Sequence, residues 1–347
     1  MEKKRAVVIG ATGQIGRAAV DILVRDGWDV TAVSRSGGKD ENWPDEVKIV
    51  RADRNNDAEF AAAIGDGCDV VVDVVAYGAA HARQLTAMAD RIGSAVVLST
   101  TVVYEDDKGR NFDTAREPGG FPHLPVPIHE SQRTVQPGET TYSTGKTALE
   151  QELLAAGDRL PITVLRAGAV YGPYSSFPYE LYFVKRNLDG RRKRVLDFGG
   201  EGLFHRVSVR TLAELIRLAA KQPGSRVLNA CDPEVPTVAE IGMAIDAIMD
   251  VKAPETFLID GPSTEPYVGK TSWMIEHPVI CDMVAAEKEL GYRPVENYDK
   301  SLQEMVEWLV EQLAGRDWKE AFPLLAQTHP HLFDYVAEDA WFTKALK

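Results

Sequence analysis

Cysteine is scarce, long apolar runs are missing and positive charge is in the minority, and each deficit removes a class of protein. The 347 residues hold three cysteines, Cys68, Cys231 and Cys281, far apart and without the spacing of a zinc site or a disulfide framework. They are expected to be small buried hydrophobes in a reducing compartment. Apolar runs such as Val70–Val72 and Val74–Ala76, on either side of Asp73, are far too short to cross a bilayer. The opening Met-Glu-Lys-Lys-Arg has neither the apolar stretch nor the cleavage site of a secretory signal. A cytoplasmic location with no membrane partner is expected. Lys and Arg number 39 against 52 Asp and Glu, and the net charge of −13 argues against nucleic acid as a partner. His81, His123, His129 and His205 show no ligand spacing with one another or with cysteine, so no metal is expected.

What is present is a globular composition, 44% hydrophobic and 26% charged, in a chain long enough for one large domain and a smaller one. In the first half, strand patterns at Arg5–Ile9, Asp29–Val33, Val47–Arg51, Asp69–Val74 and Ala95–Ser99 alternate with helical patterns. The helices fall at Gln14–Asp26, Asp57–Ile64 and Ala79–Ile92. This alternation predicts βαβ units and an α/β fold, a Rossmann-type doubly wound parallel sheet covered on both faces. From Tyr104 to Thr140 prolines and charges break the pattern into a long loop. A helix at Tyr142–Ala155 and a strand at Ile162–Leu165 follow.

Beyond Gly172 the regularity weakens toward a smaller C-terminal α/β substrate-binding part. Helices are expected at Glu180–Leu188, Leu212–Lys221, Val238–Met249, Ala285–Leu290 and Leu302–Leu313, and strands at Val195–Phe198 and Val227–Asn229. Ala253–Gly269 reads as loop. The expected divisions are 1–171, 172–314 (with some segments free to return to the first sheet) and an aromatic tail, 315–347. The tail carries Trp318, Phe322, Phe333, Tyr335, Trp341 and Phe342 and is expected to pack on the body or on a partner subunit. The loop 105–140 and the segments 172–205 and 255–280 are expected to wall a substrate cleft at the carboxyl ends of the strands.

The stretch Ala6-Val-Val-Ile-Gly10-Ala-Thr-Gly13-Gln-Ile-Gly16 follows the first strand and opens the first helix. Gly10 suits a tight turn, Gly13 close approach of a dinucleotide pyrophosphate, and Gly16 packing of helix on strand. The helix N-terminus then receives the pyrophosphate, with Thr12, Gln14 and Ile15 as further candidate contacts. After the second strand come Ser34-Arg35-Ser36-Gly37, with no carboxylate until Asp40. An acidic residue there would bind the 2′-OH of NAD, whereas an arginine accommodates the 2′-phosphate of NADP. Arg35 therefore favours NADP(H) over NAD(H); the alternative is an ordinary surface arginine.

Further motifs follow in order: RADR at 51–54, VLSTTVVY at 97–104, YSTGK at 142–146, LRAGAVYGP at 165–173 and DMVAAEKELGYRP at 282–294. Together with GATGQIG at 10–16, they resemble the extended short-chain dehydrogenase/reductase family, the NAD-dependent epimerase/dehydratase group. The resemblance spans about residues 5–310. It implies that Asp53 contacts the adenine and that Val75, Ala76 and Tyr77 line the adenosine ribose. It also implies chemistry by a Tyr-x-x-x-Lys pair and a Ser or Thr, the lysine also holding the nicotinamide ribose. Tyr104…Lys108 and Tyr142…Lys146 both have the spacing, and the second opens a strong helix that presents both residues on one face. There the lysine is expected to lower the phenol pKa. Tyr142 and Lys146 are thus the candidate catalytic and ribose-binding pair. Thr100 is the candidate polarising hydroxyl, with its neighbour Thr101 as an alternative or substrate contact.

Two departures bear on substrate. Sugar-nucleotide members carry Asn where this chain has Ala169, and their Arg-Asp-Phe-like segment is represented by Phe204-His205-Arg206-Val207. Arg206 and the run Arg191–Arg194 are the remaining candidates for a substrate anion, the run otherwise reading as a solvated helix end. The leading expectation is an NAD(P)-dependent oxidoreductase performing reversible hydride transfer on a small carbonyl or alcohol. A sugar-nucleotide epimerase or dehydratase with recycled cofactor is the first alternative, and a non-catalytic dinucleotide-binding sensor the second. Helices flanking the dyad often form a homodimer interface in the resembled family.

Overall fold

The computed structural model describes residues 3–273 and 275–345. The ends of the expected segments 1–171 and 315–347, and Met274 of 255–280, lie outside the described residues. The chain begins β1 (Arg5–Ile9), α1 (Gln14–Arg25), β2 (Asp29–Ser34), β3 (Lys48–Arg51), α2 (Asp57–Ile64), β4 (Val70–Asp73) and α3 (Ala79–Thr86). It continues through β5 (Ala95–Thr100), α4 (Tyr142–Ala155), β6 (Ile162–Ala167), β7 (Ala169–Tyr171), α5 (Leu181–Leu188), β8 (Lys193–Leu196) and β9 (Arg206–Ser208). Next are α6 (Val209–Lys221), β10 (Arg226–Ala230), α7 (Val238–Ile248), β11 (Glu255–Leu258) and α8 (Val284–Leu290). The last helices are α9 (Tyr298–Leu313), α10 (Trp318–Ala321), α11 (Pro323–Thr328) and α12 (Tyr335–Ala345).

These elements form two units. The first takes the chain up to Val170, then Arg206–Pro233 and Cys281–Val295; the second takes Tyr171–His205, Glu234–Ile280 and the chain from Glu296 on.

In the first unit seven parallel strands run in the order β10-β6-β5-β4-β1-β2-β3. Successive residues of a strand point to opposite faces, and β1 is apolar on both. Ala6 and Val8 join Ala19, Val20 and Leu23 of α1 and Leu212, Leu215 and Ile216 of α6. Val7 and Ile9 join Phe60 and Ile64 of α2, Leu85 of α3, and Leu149 and Leu153 of α4. Both faces are therefore covered, which is why the strands read as unbroken apolar runs rather than alternating ones. The order reverses between β1 and β4, so the loops leaving their carboxyl ends diverge and open a crevice.

The second unit is built on Leu181, Phe183, Ile241, Trp273, Leu302 and Leu309, drawn mainly from α5, α7 and α9. Here β8 pairs in parallel with β11. The sequence places Glu255–Leu258 in a loop, and the strand escapes that reading because three of its four residues are exposed and give no apolar alternation. The aromatic tail belongs to this unit: Glu338 of α12 is fully buried and paired with Arg186, whose Nη2 also reaches the Leu332 carbonyl at 3.1 Å. Within the basic run Arg194 is buried, while Arg191 is partly exposed and Arg192 exposed, each with a partner in the unit. Arg194 pairs with Asp246 at 2.6 Å, Arg191 with Asp339 at 2.6 Å, and Arg192 donates to the Lys252 carbonyl at 2.6 Å.

Candidate active site

The turn between β1 and α1 is shaped by two glycines. Gly10 has φ +87°, and a side chain there would meet Val75 Cγ1 at 2.7 Å; one on Gly16 would collide with the Gly10 carbonyl. Gly13 is the N-cap of the twelve-residue α1, makes no side-chain cap, and is followed by no acidic residue in the first turn. The amide groups and positive dipole end of that helix thus suit an anion.

From this turn a groove of about 660 Å³ runs across the carboxyl ends of β2, β3 and β4. Gly10, Thr12 and Gly13 line one end, followed by Ser34, Arg35 and Ser36, then Asp53, Arg54 and Asn55, with Val75 and Tyr77 on the far side. The volume and the anion-suited helix end fit a dinucleotide. Gln14 and Ile15 sit partly buried in the first turn of α1, while Gly16 and Ala76 are buried. Arg35 is exposed. Beside it Ser34 Oγ accepts the Gly37 amide at 3.1 Å and Ser36 Oγ the Gly38 amide at 3.3 Å, which shapes the turn.

The dyad lies on α4, beside β5. A capping box between Thr141 and Thr144 starts α4. Asp113, from the long loop, accepts hydrogen bonds from the hydroxyls of Thr141 (2.7 Å) and Ser143 (3.2 Å), on either side of Tyr142. One turn on, Lys146 is 2% exposed and its Nζ donates to the carbonyls of Ala76 and Leu98, both at 2.7 Å. A further turn on, Glu150 accepts the Ser99 hydroxyl and pairs with Arg166 at 2.7 Å. Leu98 and Ser99 are thereby tied to α4, and Thr100, the next residue of β5, acts through its hydroxyl to lower the Tyr142 phenol pKa.

Burial holds the Lys146 ammonium below its ordinary 10.5, at about 8, against the opposing pull of Asp73 and Glu150. The Tyr142 phenol is pushed up to about 12 by burial and then by Tyr77, with Thr100 opposing. Lys146, expected from the sequence to lower the phenol pKa, is not among the groups acting on it, and Tyr142 itself is about half exposed, 51%. The lysine is committed to two backbone carbonyls, with Nζ 5.0 Å from the Tyr77 ring centre and 5.7 Å from that of Tyr142.

Of the two Tyr-x-x-x-Lys stretches, Tyr104 is fully buried and donates to Asn229 Oδ1 at 2.5 Å, while Lys108 is exposed. Thr101 is buried at the start of a short 3-10 turn. Ala169 lies partly buried on β7, and Arg206 is buried at the start of β9. Sequence reading did not select Arg54, Ser99 or Glu150. One signal for Arg54 was available: Asp73 interrupts an apolar strand, and a buried charge demands a partner.

A Tyr-x-x-x-Lys helix beside the switch point of a parallel sheet, next to a dinucleotide-sized groove, is the arrangement of extended short-chain dehydrogenases/reductases. The chain belongs to the NAD dependent epimerase/dehydratase family, whose model matches residues 6–231, and is an NAD(P)-dependent enzyme of that type. Solved structures share the fold. UDP-N-acetylglucosamine 4-epimerase from Methanobrevibacter ruminantium M1, in complex with UDP-N-acetylmuramic acid, is 20% identical with a TM-score of 0.68. That match covers 90% of this chain and 100% of the other. WbmH from Bordetella bronchiseptica, in complex with NAD+, is 17% identical (TM-score 0.69; 89% and 99% covered). dTDP-glucose 4,6-dehydratase from Bacillus anthracis str. Ames, in complex with NAD, is 18% identical (TM-score 0.67; 92% and 99% covered). No curated protein sequence matches the chain. Among the described residues no helix is long and apolar enough to cross a membrane.

Proposed function

We propose that this enzyme is an NADP(H)-preferring oxidoreductase that reduces a small carbonyl compound, or oxidises the matching alcohol, by reversible hydride transfer. The observation that carries the reading is the placement of Tyr142 and Lys146 one turn apart on α4, with Lys146 tying down the strand that ends at Thr100. The nicotinamide, when bound, supplies or accepts the hydride. Thr100 polarises the substrate oxygen and Tyr142 exchanges its proton. With its pKa pushed up to about 12, the phenol is protonated at neutral pH, the form that donates in reduction. Lys146 orients the strand end and holds the nicotinamide ribose, and Thr12 and Gly13 face the pyrophosphate. Asp53 accepts from the adenine amine. Arg35, with Ser34 and Ser36 in the same groove, supports the 2′-phosphate. Ala169, in place of an asparagine, supports a substrate without a diphosphate.

The test is turnover with a carbonyl panel and NADPH, together with Tyr142→Phe and Arg35→Asp. We expect Tyr142→Phe to lower kcat by roughly 10²–10⁴-fold with little change in NADPH affinity. Arg35→Asp is expected to weaken NADPH by about tenfold or more and to spare NADH. Sugar-nucleotide isomerisation without net cofactor oxidation would replace this reading by the epimerase one. Cofactor binding indifferent to every substrate and unaffected by Tyr142→Phe would leave a sensor. The exposed Leu154 and the Arg83–Glu152 pair linking α3 and α4 support a homodimer through those helices, checked by sedimentation.

A further inference from the structure

Ser99, Glu150 and Arg166 form a buried polar cluster on a face of the sheet that is otherwise apolar. Ser99 and Arg166 each lie two residues after a valine, Val97 of β5 and Val164 of β6, whose side chains join Leu149 and Leu153 of α4 in the core. Strand alternation puts all four strand residues on the side facing α4. Ser99 and Arg166 are also register partners across β5 and β6, so one side chain from the helix can reach both. Glu150 does so. Its Oε1 accepts the Ser99 hydroxyl, and its carboxylate takes Arg166 Nε at 3.2 and 3.1 Å and Nη2 at 2.7 Å. Arg166 Nη1 donates in turn to the Glu130 carbonyl of the long loop at 3.0 Å.

A buried ion pair of this kind adds little stability, since apolar residues of similar volume often do as well. Its position suggests another use. β4 pairs with β5 only as far as Val97, so beyond that residue β5 is held by β6 on one side alone. The unsupported stretch ends in Thr100. Tyr142, Lys146 and Glu150 follow one another at one-turn intervals along α4, and the last two grip this stretch. Lys146 holds the Leu98 carbonyl and Glu150 the Ser99 side chain, which fixes the main chain at two consecutive residues.

We propose that Glu150 is a positioning residue, which acts through Ser99 to set the direction in which the Thr100 hydroxyl meets the reacting oxygen. The inference rests on the function proposed above, in which Thr100 polarises that oxygen. A displacement of about 1 Å in such a group can cost roughly a hundredfold in rate. A clamp behind the strand end therefore acts on catalysis even where it adds nothing to stability.

The experiment measures kcat and KM, with NADPH and the best substrate of the carbonyl panel, for wild type, Ser99→Ala, Thr100→Val and the double variant. Ser99→Ala frees β5 from Glu150 and leaves the pair with Arg166 whole. It should lower kcat by about tenfold and leave KM for NADPH within about twofold. Thr100→Val should lower kcat by roughly a hundredfold. Because Ser99 acts through Thr100, its replacement should change kcat by less than about twofold once residue 100 is valine. A merely structural loss would lower kcat by the same factor in both backgrounds. That equal factor, or an unchanged kcat in folded Ser99→Ala, overturns the positioning role. If Ser99→Ala does not fold, Ser99→Cys, similar in size and a weak donor, takes its place in the cycle with the same expectations. A wild type without carbonyl turnover, or a Thr100→Val variant as active as wild type, overturns the role given to Thr100 and this inference with it.

Discussion

Replacing Lys146 by methionine separates what the lysine does for catalysis from what its burial does to the fold. The side chain is 2% exposed, and its pKa is lowered from 10.5 to about 8. At 1.36 kcal/mol per unit, the charged form is disfavoured in the folded state by roughly 3 kcal/mol. The sign follows from proton counting. Between pH 8 and 10.5 the unfolded lysine holds its proton while the folded one sheds it, so stability rises with pH through that window. Below pH 8 both states are charged and the full penalty applies. Between pH 7 and 9.5 the wild type should therefore gain about 2 kcal/mol that the methionine variant does not. At pH 7 the variant loses two charged hydrogen bonds, to Ala76 and Leu98, and escapes the burial penalty; these effects are of similar size and opposite sign. The slope is thus more telling than the level. Urea unfolding of both proteins at intervals from pH 7 to 9.5 reads the difference, in which other titrating groups cancel. Parallel profiles would refute the argument that Lys146 is held below its ordinary range, whatever the variant does to turnover.

Two further outcomes follow from the geometry. His81 is held below its ordinary 6.5 by burial, by Arg54 and by Lys146, with Asp73 opposing, and its Nδ1 must stay an acceptor for the Tyr77 amide. The unfolded chain takes up that proton more readily, so stability should fall as pH drops below 6.5. His81→Gln should flatten melting profiles between pH 5 and 7, and a variant as acid-sensitive as the wild type would count against this. Gly16→Ala presses a methyl onto the Gly10 carbonyl and should destabilise by about 1–3 kcal/mol while weakening dinucleotide binding, read by melting and by fluorescence titration.

The central sheet was open to sequence reading because its inner strands are buried on both faces, so residues such as Val70–Val72 advertise themselves as continuous apolar runs. The glycine turn was equally plain, since Gly10 and Gly16 are required by backbone geometry rather than by taste for a side chain. What stayed hidden depends on contacts between residues distant in sequence. Arg54 and Asp73 make sense only as a pair across nineteen positions, and Glu150 only with Ser99 and Arg166. The raised Tyr142 pKa is of the same kind. Spacing puts a lysine one turn away, but only the fold reveals that two of its three ammonium protons go to backbone carbonyls. The strand Glu255–Leu258 was missed for the opposite reason, too little burial to leave a pattern.

The first unit is discontinuous along the chain, and this matters during synthesis. β6 ends at Ala167, but β10, which pairs with its outer edge, begins only at Arg226, after a stretch that belongs mostly to the second unit. On the ribosome, at roughly 5–20 residues per second, the edge of a nearly complete sheet stands bare for seconds. An unpaired edge of that kind is a template for pairing with another chain. Crowded polysomes would then be the place where this protein meets its greatest hazard, and a chaperone that shields strand edges would serve it most before residue 230 has emerged.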